Sequence, residues 1–139
     1  MLSSAISYLN EKTTNRFSVA INLTSDDFKN SKTYNDRLKE SQLVREKNPD
    51  RIPVICERSK NSIAPNISKT KYLVPADLTP SQFLFIVRKR LSLPSEKGLF
   101  LFINGIIPQS TMTFKDLDEL YRDNDGFLYV SYAEENVFG

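Results

Sequence analysis

The sequence contains no histidine and only one cysteine, Cys56. Without histidine the chain can build neither a Ser-His-Asp triad nor a Cys-His dyad, and every metal site made from imidazole ligands is excluded. One cysteine cannot form an internal disulfide, and it favours a reducing compartment. We expect this thiol to be inert, because it lies within a predicted strand and a reactive thiol needs exposure and positive neighbours.

Glycines and long apolar runs are scarce as well. The four glycines lie too far apart in the sequence to build a loop that cradles a phosphate. The densest apolar runs, 83–87 and 99–103, span five residues each, whereas a transmembrane helix needs about 20. Residues 1–22 lack the apolar core of a secretory signal. We therefore predict neither a transmembrane segment nor a cleaved leader.

The composition favours binding over catalysis. A chain of 139 residues is long enough for one domain with a real core and short for two. Its net charge of +2 is too small a basic excess to indicate nucleic acid as a partner. Carboxylates are frequent but form no recognisable catalytic pair. We predict a protein that is not an enzyme and that holds no metal or cofactor.

The N-terminal extension, 1–24, carries one regular pattern. Phe17, Val19, Ile21 and Leu23 alternate with polar or small residues, which is the period of a strand. Two interpretations stay open. The segment is either a mobile tail in which the alternation is accidental, or a strand that adds to an exposed sheet edge of this chain or of a neighbour.

Two helices are predicted in the next segment, 25–50. The first covers 25–31, with Ser25 as its N-cap and acidic residues in its first turn. The second covers 35–47 and ends before Pro49. Its residues favour helix, but its apolar stripe is thin, with Leu38 and Val44 as the main members. Such a helix is expected to lie on a surface and to remain largely exposed.

From residue 51 onward, strands and helices follow a recognisable order. Strands are predicted at 51–58, 71–74, 99–104, 106–108 and 127–132. A helix at 79–91 begins with Thr79 as N-cap and Pro80 at its first position, and a helix at 113–122 turns Phe114, Leu117 and Leu120 inward. This order predicts an α+β fold, the ubiquitin-like β-grasp with two additional N-terminal helices.

Two of the predicted strands are apolar on both faces. Residues 72–74 and 100–103 show no alternation of apolar and polar side chains, so these strands need cover on both sides. The helix at 79–91 covers one face. The N-terminal helices are the only spare elements that can cover the other.

Several sequence blocks resemble the GABARAP and light-chain-type autophagy modifiers. They are RIPVICE at 51–57, KYLVPADLT at 71–79, Phe83 followed by IVRKR at 86–90, and DGFLYVSY at 125–132 with the terminal pair FG. The resemblance covers about 34–139 without an evident gap. It divides the chain into the extension 1–24, a helical subdomain 25–50, a ubiquitin-like domain 51–132 and a flexible conjugation tail 133–139.

The resemblance implies a conjugation cycle. A cysteine protease exposes, and later releases, a C-terminal glycine, which here is Gly139. An activating and a conjugating enzyme then join that glycine to phosphatidylethanolamine. The protein is expected to be cytoplasmic and, once lipidated, bound to the autophagosomal membrane. Seven residues follow Tyr132, and they span roughly 23 Å when extended.

The resemblance also implies a groove that binds aromatic-x-x-aliphatic peptides of cargo receptors along the second strand, if that strand is a sheet edge. The aromatic pocket would use Glu40, Val44, Pro53, Ile55, Lys71, Leu73 and Phe127. The aliphatic pocket would use Tyr72, Val74, Pro75, Leu78, Phe83 and Ile86. Acidic residues beside the peptide motif would meet a rim that contains Arg51, Lys69 and Arg90 in addition to Lys71.

Other interpretations of these residues remain. Several pocket residues could simply be core, and Pro53, Ile55 and Leu73 are expected to discriminate, because part of their face should stay open. The basic run Arg88, Lys89, Arg90 is either a solvated face or one that favours an anionic membrane. The alternative function is a non-conjugated ubiquitin-like scaffold in trafficking or cytoskeletal binding.

Overall fold

The computed structural model describes residues 26–60 and 62–135. The helices are α1 (Asp27–Ser31), α2 (Tyr34–Lys47), α3 (Pro80–Leu91) and α4 (Phe114–Tyr121). The strands are β1 (Arg51–Arg58), β2 (Lys71–Pro75), β3 (Leu99–Phe102) and β4 (Leu128–Glu134). The alternating segment at 17–23 and Gly139 lie outside the described residues. The prediction of Ser25 as the cap of the first helix is wrong, because Asp26 occupies the N-cap position of α1.

The four strands form one mixed sheet in the order β2-β1-β4-β3. The central strands β1 and β4 are parallel, and each pairs with its outer neighbour in the antiparallel sense. Helix α3 follows the β1-β2 hairpin and packs against the sheet. This arrangement confirms the predicted α+β fold, a ubiquitin-like β-grasp preceded by two helices.

Capping residues fix where the two later helices begin. Thr79 and Gln82 form a capping box at the start of α3, with Pro80 in the first turn. Thr113 and Asp116 form the equivalent box at the start of α4. Each box satisfies two backbone amides that would otherwise have no partner. Both predicted helix starts are therefore confirmed.

Strand β1 is buried on both faces. Ile52, Val54 and Cys56 point into the main core, which α3 and α4 cover. Ile55 points the other way, into a second cluster with Phe28 and Phe127. Because successive residues of a strand face opposite sides of the sheet, the second face needed its own cover, and α1 supplies it through Phe28.

Helix α1 is attached by its aromatic side chain and by one backbone amide. Phe28 is 7% exposed and contacts the ring of Phe127 edge-on, with a centroid distance of 5.2 Å. The N–H of Phe28 donates to the buried carboxylate of Glu57 over 2.8 Å. Burial raises the pKa of Glu57, and the nearby charges of Asp26 and Asp27 raise it further.

Helix α2 is attached mainly through polar contacts, as its thin apolar stripe requires. Arg37 pairs with buried Asp125 over 2.6 Å. Arg45 pairs with buried Asp118 over 2.8 Å and donates from Nε to the carbonyl of Gly126 over 3.0 Å. Two arginines of one helix therefore hold carboxylates from α4 and from the turn that precedes β4.

The inward face of α4 differs from the prediction. Phe114 and Leu117 are fully buried as expected, but Leu120 is 58% exposed. The third buried position belongs to Asp118, one residue after Leu117 and four after Phe114, which completes a helical face. The carboxylate of Asp118 tolerates burial because Arg45 and Arg122 both pair with it.

The segment after β3 was predicted to form a second short strand at 106–108, and this prediction is wrong. The structure has only an isolated bridge between Ile103 and Ile106. Asn104 and Gly105 between them adopt positive φ values of 52° and 77°. Two consecutive residues with positive φ make a tight turn, and the chain does not pair beyond the bridge.

The last strand extends past its predicted end at Tyr132. Ala133 and Glu134 are buried in β4, opposite Phe100 and Leu99 of β3. The N–H of Glu135 then donates to the carbonyl of Gly98 over 2.9 Å. The chain is therefore held to the sheet edge through residue 135. The four residues 136–139 could span at most about 14 Å beyond it.

Gly126 should resist substitution more strongly than Gly105. Both have positive φ, 90° and 77°, and this costs a side chain about 1–2 kcal/mol. A Cβ at Gly126 would also collide with the hydroxyl of Ser41 and lie 2.9 Å from its Cβ, whereas a Cβ at Gly105 meets nothing within 4 Å. In urea unfolding, we expect Gly126→Ala to lower the free energy of unfolding by about 1–3 kcal/mol more than Gly105→Ala. Equal losses would contradict this packing.

Candidate functional site at the free edge of strand β2

Strand β2 lies at the edge of the sheet, and two hydrogen bonds show which of its backbone groups face outward. The N–H of Cys56 donates to the carbonyl of Thr70 over 2.8 Å, and the N–H of Ala76 donates to the carbonyl of Asp50 over 3.1 Å. In an antiparallel ladder, hydrogen-bonded pairs alternate with non-bonded pairs. Counting along the register from either bond identifies the same residues of β2 as hydrogen-bonded to β1. The residues bonded to β1 are Tyr72 and Val74.

The intervening residues therefore present their backbone groups to the outside. The outward N–H groups of Lys71 and Leu73 have no partner within the part of the chain that the structure describes. The carbonyl of Leu73 accepts a hydrogen bond from Nη1 of Arg51 over 3.1 Å. Pro75 has no N–H, and its carbonyl already accepts from Leu78 over 3.0 Å. Two donors spaced two residues apart thus face outward from the edge.

The side chains of β2 divide between the two faces of the sheet. Tyr72 and Val74 point into the main core beneath α3. Leu73 points to the face of the N-terminal helices and is 41% exposed. Of these three side chains, only Leu73 therefore contributes apolar surface at the free edge.

The predicted aromatic pocket is present as a cluster, but much of it is covered. Of the three residues expected to remain open, Pro53 and Ile55 are buried and only Leu73 is exposed. Phe127 is 2% exposed beneath Phe28. The sequence analysis did not assign Phe28 to this pocket, because a single aromatic residue in a short acidic helix gives little indication of where it packs.

An ion-pair network lies over this cluster. Glu40 pairs with Lys32 over 2.9 Å and with Lys71 over 2.8 Å. Each lysine Nζ also lies 5.6 Å from the centre of the Phe28 ring, within the range of a cation–π contact. The remaining predicted member, Val44, is half-buried on α2. Together these side chains form the surface on the helical side of the edge.

Glu40 is held in its charged form by the two lysines. Partial burial by itself would raise the pKa of Glu40, but the hydrogen bonds and charges of Lys71 and Lys32 outweigh it and lower the pKa below its ordinary value. The same carboxylate raises the pKa of Lys32. Glu40 and Lys32 therefore stabilise each other's charged forms.

The predicted aliphatic pocket lies on the other face. Tyr72, Val74 and Phe83 are buried, with the rings of Tyr72 and Phe83 5.3 Å apart. Pro75 and Leu78 are half-buried, and Ile86 of α3 is 39% exposed. The accessible surface of the predicted aliphatic pocket is thus formed by Pro75, Leu78 and Ile86. The buried side chains of the pocket lie beneath them.

Two of the three predicted rim cations contact residues of β2. Lys69 lies over the ring of Tyr72, with Nζ 5.0 Å from its centre, and Arg51 binds the Leu73 carbonyl. Burial raises the pKa of the Tyr72 hydroxyl to about 12, against a smaller lowering effect from the charge of Arg90. Arg51 and Lys69 therefore contact residues of β2, whereas Arg90 acts on Tyr72 through its charge from the last turn of α3.

Cys56, the chain's one cysteine, lies in the interior of the sheet. Cys56 is fully buried, and burial raises the pKa of its thiol well above the ordinary range. Residues 26–60 and 62–135 contain no group of three or more Asp, Glu or Cys side chains placed to hold a metal ion. None of the described helices is both long and apolar enough to span a bilayer.

The comparisons with known proteins agree with this geometry. A family model described as "Autophagy protein Atg8 ubiquitin like" matches residues 36–139. The chain belongs to the Atg8 family. It is 46% identical over 112 residues to autophagy-related protein 8 of Mycosarcoma maydis, which covers 81% of this chain and 95% of that protein. It is 48% identical to the protein of the same name from Pichia angusta, with 81% and 90% covered.

A solved structure supports the family at the level of the fold. The crystal structure of Trypanosoma brucei ATG8 superposes with a TM-score of 0.75 and 40% identity, covering 78% of this chain and 94% of that one. Membership of the Atg8 family makes this chain an autophagy-related ubiquitin-like protein. It also associates the chain with the autophagy machinery.

The pKa of Glu40 provides a test of the ion-pair network. Because the folded-state pKa is lowered, the network stabilises the fold above the ordinary pKa of a glutamate, and this contribution is lost as the pH falls through the lowered value. In an NMR titration, Lys71→Gln should raise the pKa of Glu40 toward its ordinary value, whereas Lys39→Gln on the exposed part of α2 should leave it unchanged. An unaltered Glu40 titration in Lys71→Gln would contradict the network.

Proposed function

We propose that this Atg8-family chain is a ubiquitin-like modifier that is not itself an enzyme. Its Gly139 is joined to phosphatidylethanolamine on the autophagosomal membrane. A processing and delipidating cysteine protease, an activating enzyme and a conjugating enzyme act on it in turn. Its body recruits cargo receptors and adaptors through the free edge of β2. The observation that carries the recruiting role is a pair of outward amides, at Lys71 and Leu73, between two apolar surfaces.

The geometry of the edge suits a peptide with two anchors three positions apart. An extended peptide can add to β2 through the N–H groups of Lys71 and Leu73 and the carbonyl that Arg51 now holds. Successive side chains of a strand point to opposite faces, so residues i and i+3 lie on different sides of the sheet. An aromatic residue would then reach the surface beside Leu73, and an aliphatic residue would reach the surface beside Ile86.

The charges of the edge favour an acidic peptide. Arg51 and Lys69 lie along β2, Arg90 lies at the end of α3, and Lys71 pairs with Glu40. Acidic residues next to the anchors could pair with these cations and could compete with Glu40 for Lys71. Each buried anchor contributes about 1.5–3 kcal/mol. Backbone hydrogen bonds add to this, and association entropy offsets part of it, so we expect an affinity of roughly micromolar.

Entry of the aromatic anchor requires a local rearrangement. Ile55 and Phe127 lie beneath Phe28 and the two lysines, so a large ring cannot reach them without displacing some of this cover. The lysines and Glu40 are partly exposed, with side-chain exposures of 40%, 49% and 26%. Exposed ion pairs contribute little stability, about 0–1 kcal/mol each. Displacing the two lysines and Glu40 therefore requires less free energy than displacing the rest of the cover.

Leu73→Ala should separate peptide binding from folding. Leu73 is 41% exposed, so its truncation removes little core contact, and we expect peptide affinity to fall about tenfold with a loss of stability below about 1 kcal/mol. The matched control is Leu43→Ala on α2, which is 57% exposed and lies outside the proposed groove. Isothermal titration with an aromatic-x-x-aliphatic peptide measures both. Equal affinities of the two variants would argue against the groove.

Conjugation is tested by reconstitution with the activating and conjugating enzymes, ATP and vesicles that contain phosphatidylethanolamine. We expect a lipid adduct, detected by gel shift and mass, on the intact chain and none on Gly139→Ala. Leu73→Ala should still be conjugated, because the groove and the terminal glycine have separate roles. An intact chain that binds peptide but forms no adduct would support the non-conjugated scaffold in place of the modifier.

A further inference from the structure

The residues that lead toward Gly139 are held on the edge strand β3. Residues 133–134 pair with 99–100 of that strand, and the N–H of Glu135 donates to the carbonyl of Gly98 over 2.9 Å. The seven residues predicted as a tail would span roughly 23 Å if none of them were paired. With the first three on the sheet, the remaining four span at most about 14 Å. The pairing thus removes about 9 Å from the reach of Gly139.

A glycine at position 98 allows the backbone of Glu135 to approach β3 this closely. A Cβ added to Gly98 would lie 2.6 Å from the Cβ of Glu135 and 2.9 Å from its Cδ, well inside the roughly 3.5–4.0 Å at which two carbon atoms pack. The Cβ of Glu135 is bonded directly to its backbone, so a rotation of the side chain cannot relieve this clash. A side chain at position 98 would therefore displace the backbone of the tail.

The strand side of this contact is fixed, so the tail is the part that can move. Arg88 of α3 donates from Nη1 to the carbonyls of Pro94 and Lys97, over 2.9 Å and 2.6 Å. On the other side of Gly98, the side chain of Leu99 is buried in the main core. Gly98 thus lies between two anchored residues, whereas the tail residue bonded to it is exposed.

The attachment of Glu135 is weak enough for a binding partner to release it. Within the described residues, one backbone hydrogen bond joins Glu135 to the sheet. The net contribution of such a bond corresponds to about a fivefold change in an equilibrium constant, and the ends of elements open locally at small cost. An enzyme that binds the tail in an extended form can therefore draw it off β3 from its end.

The closed arrangement brings the sheet edge very near to any group that reacts with Gly139. A length of about 14 Å is little more than the diameter of one helix. An active site that lies beneath a single helix of an enzyme would use all of it, and the ubiquitin-like domain would have to press against the enzyme surface. Release of residues 133–135 relieves this constraint.

From this arrangement we infer that Gly98 and Glu135 form a latch that holds the tail short, and that the latch opens before the activating enzyme captures Gly139. The inference rests on the proposed conjugation through Gly139. Gly98 and Glu135 are positioning residues, because neither of them contacts the reacting carboxylate. They act by setting how far that carboxylate extends from the sheet.

Gly98→Ala should open the latch in the absence of any enzyme. In NMR measurements of exchange with water, the amide of Glu135 should exchange about fivefold faster, the effect of losing one net hydrogen bond. Gly105→Ala is the matched control at the other end of β3, where an added Cβ meets nothing within 4 Å, and it should leave this amide unchanged. Adding Glu135→Gly to Gly98→Ala removes the clashing Cβ, so residue 135 should exchange as slowly as in Glu135→Gly alone.

Thioester formation with the activating enzyme and ATP tests the role of the latch. If only an open tail is captured, Gly98→Ala should raise kcat/KM about fivefold, because it increases the fraction of competent chains. Gly105→Ala should have no effect. Glu135→Pro removes the donating N–H and leaves β3 intact. It should give the same gain, and it replaces Gly98→Ala if that variant folds poorly.

Two results would overturn the inference. Unchanged exchange at Glu135 in Gly98→Ala would mean that the contact is not a latch. Faster exchange with an unchanged kcat/KM would mean that the activating enzyme accepts the closed tail. A failed conjugation is distinguishable from both, because no variant would then form a thioester although exchange at Glu135 responds as expected. In that case the proposed conjugation fails, and the role of the latch in it falls as well.

Discussion

Burial of β1 on both faces is the constraint on which the rest of the structure depends. Residues 52–57 of this strand are all buried, so it must lie inside the sheet with cover above and below. Strand β4 pairs with one side of it and β2 with the other. Because the chain forms no strand beyond β2 in the part that the structure describes, β2 becomes an edge. The receiving edge proposed for peptides thus follows from the position of β1.

The second face of β1 is covered in a way that leaves room beside β2. A single aromatic residue, Phe28, fills the centre of that face, while α2 is held mainly by arginines that reach Asp118 and Asp125. Removing one partner from a buried ion pair leaves an uncompensated charge, so these contacts define the position of α2 strictly. A helix attached in this way does not need a wide apolar stripe over the sheet. Leu73 therefore remains accessible although both of its neighbours in β2 are buried.

The network around Asp125 links this cover to the sheet itself. Asp125 accepts from Arg37 and also from the hydroxyl of Tyr129. Burial and the adjacent carboxylate raise the pKa of that hydroxyl above its ordinary range, so Tyr129 remains a hydrogen-bond donor at any physiological pH. The turn before β4 is thereby attached to α2, and Gly126 in that turn lies against Ser41 too closely for a side chain.

Local patterns in the sequence were sufficient to predict most of the elements. The cap at Thr79 and the start of the helix at residue 113 depend on neighbouring residues only, and the structure agrees with both. Two features of these elements depend on partners elsewhere in the chain and were missed. Asp118, not Leu120, lies on the inner face of α4, because Arg45 of α2 pairs with its carboxylate in addition to the neighbouring Arg122. Residues 133–134 joined β4 because β3 offered them a partner.

The N-terminal helices were expected to cover this face, but the residue that covers the aromatic pocket, Phe28, was missed for the same physical reason. Phe28 lies 27 residues before Ile55 and 99 before Phe127 in the sequence, and no periodic pattern relates them. The pocket residues themselves came from the family resemblance, and the structure adds which of them are accessible. Leu73, Lys71 and Ile86 are exposed, whereas Ile55, Phe83 and Phe127 are inside.

Amide hydrogen exchange along β2 tests the central claim most directly, since that claim concerns individual backbone groups. In the free chain, the N–H groups of Lys71 and Leu73 should exchange quickly and those of Tyr72 and Val74 slowly. Addition of an aromatic-x-x-aliphatic peptide should slow exchange at Lys71 and Leu73 and leave the other two unchanged. Protection that appears on the opposite edge, β3, with no change at Lys71 and Leu73, would contradict the account.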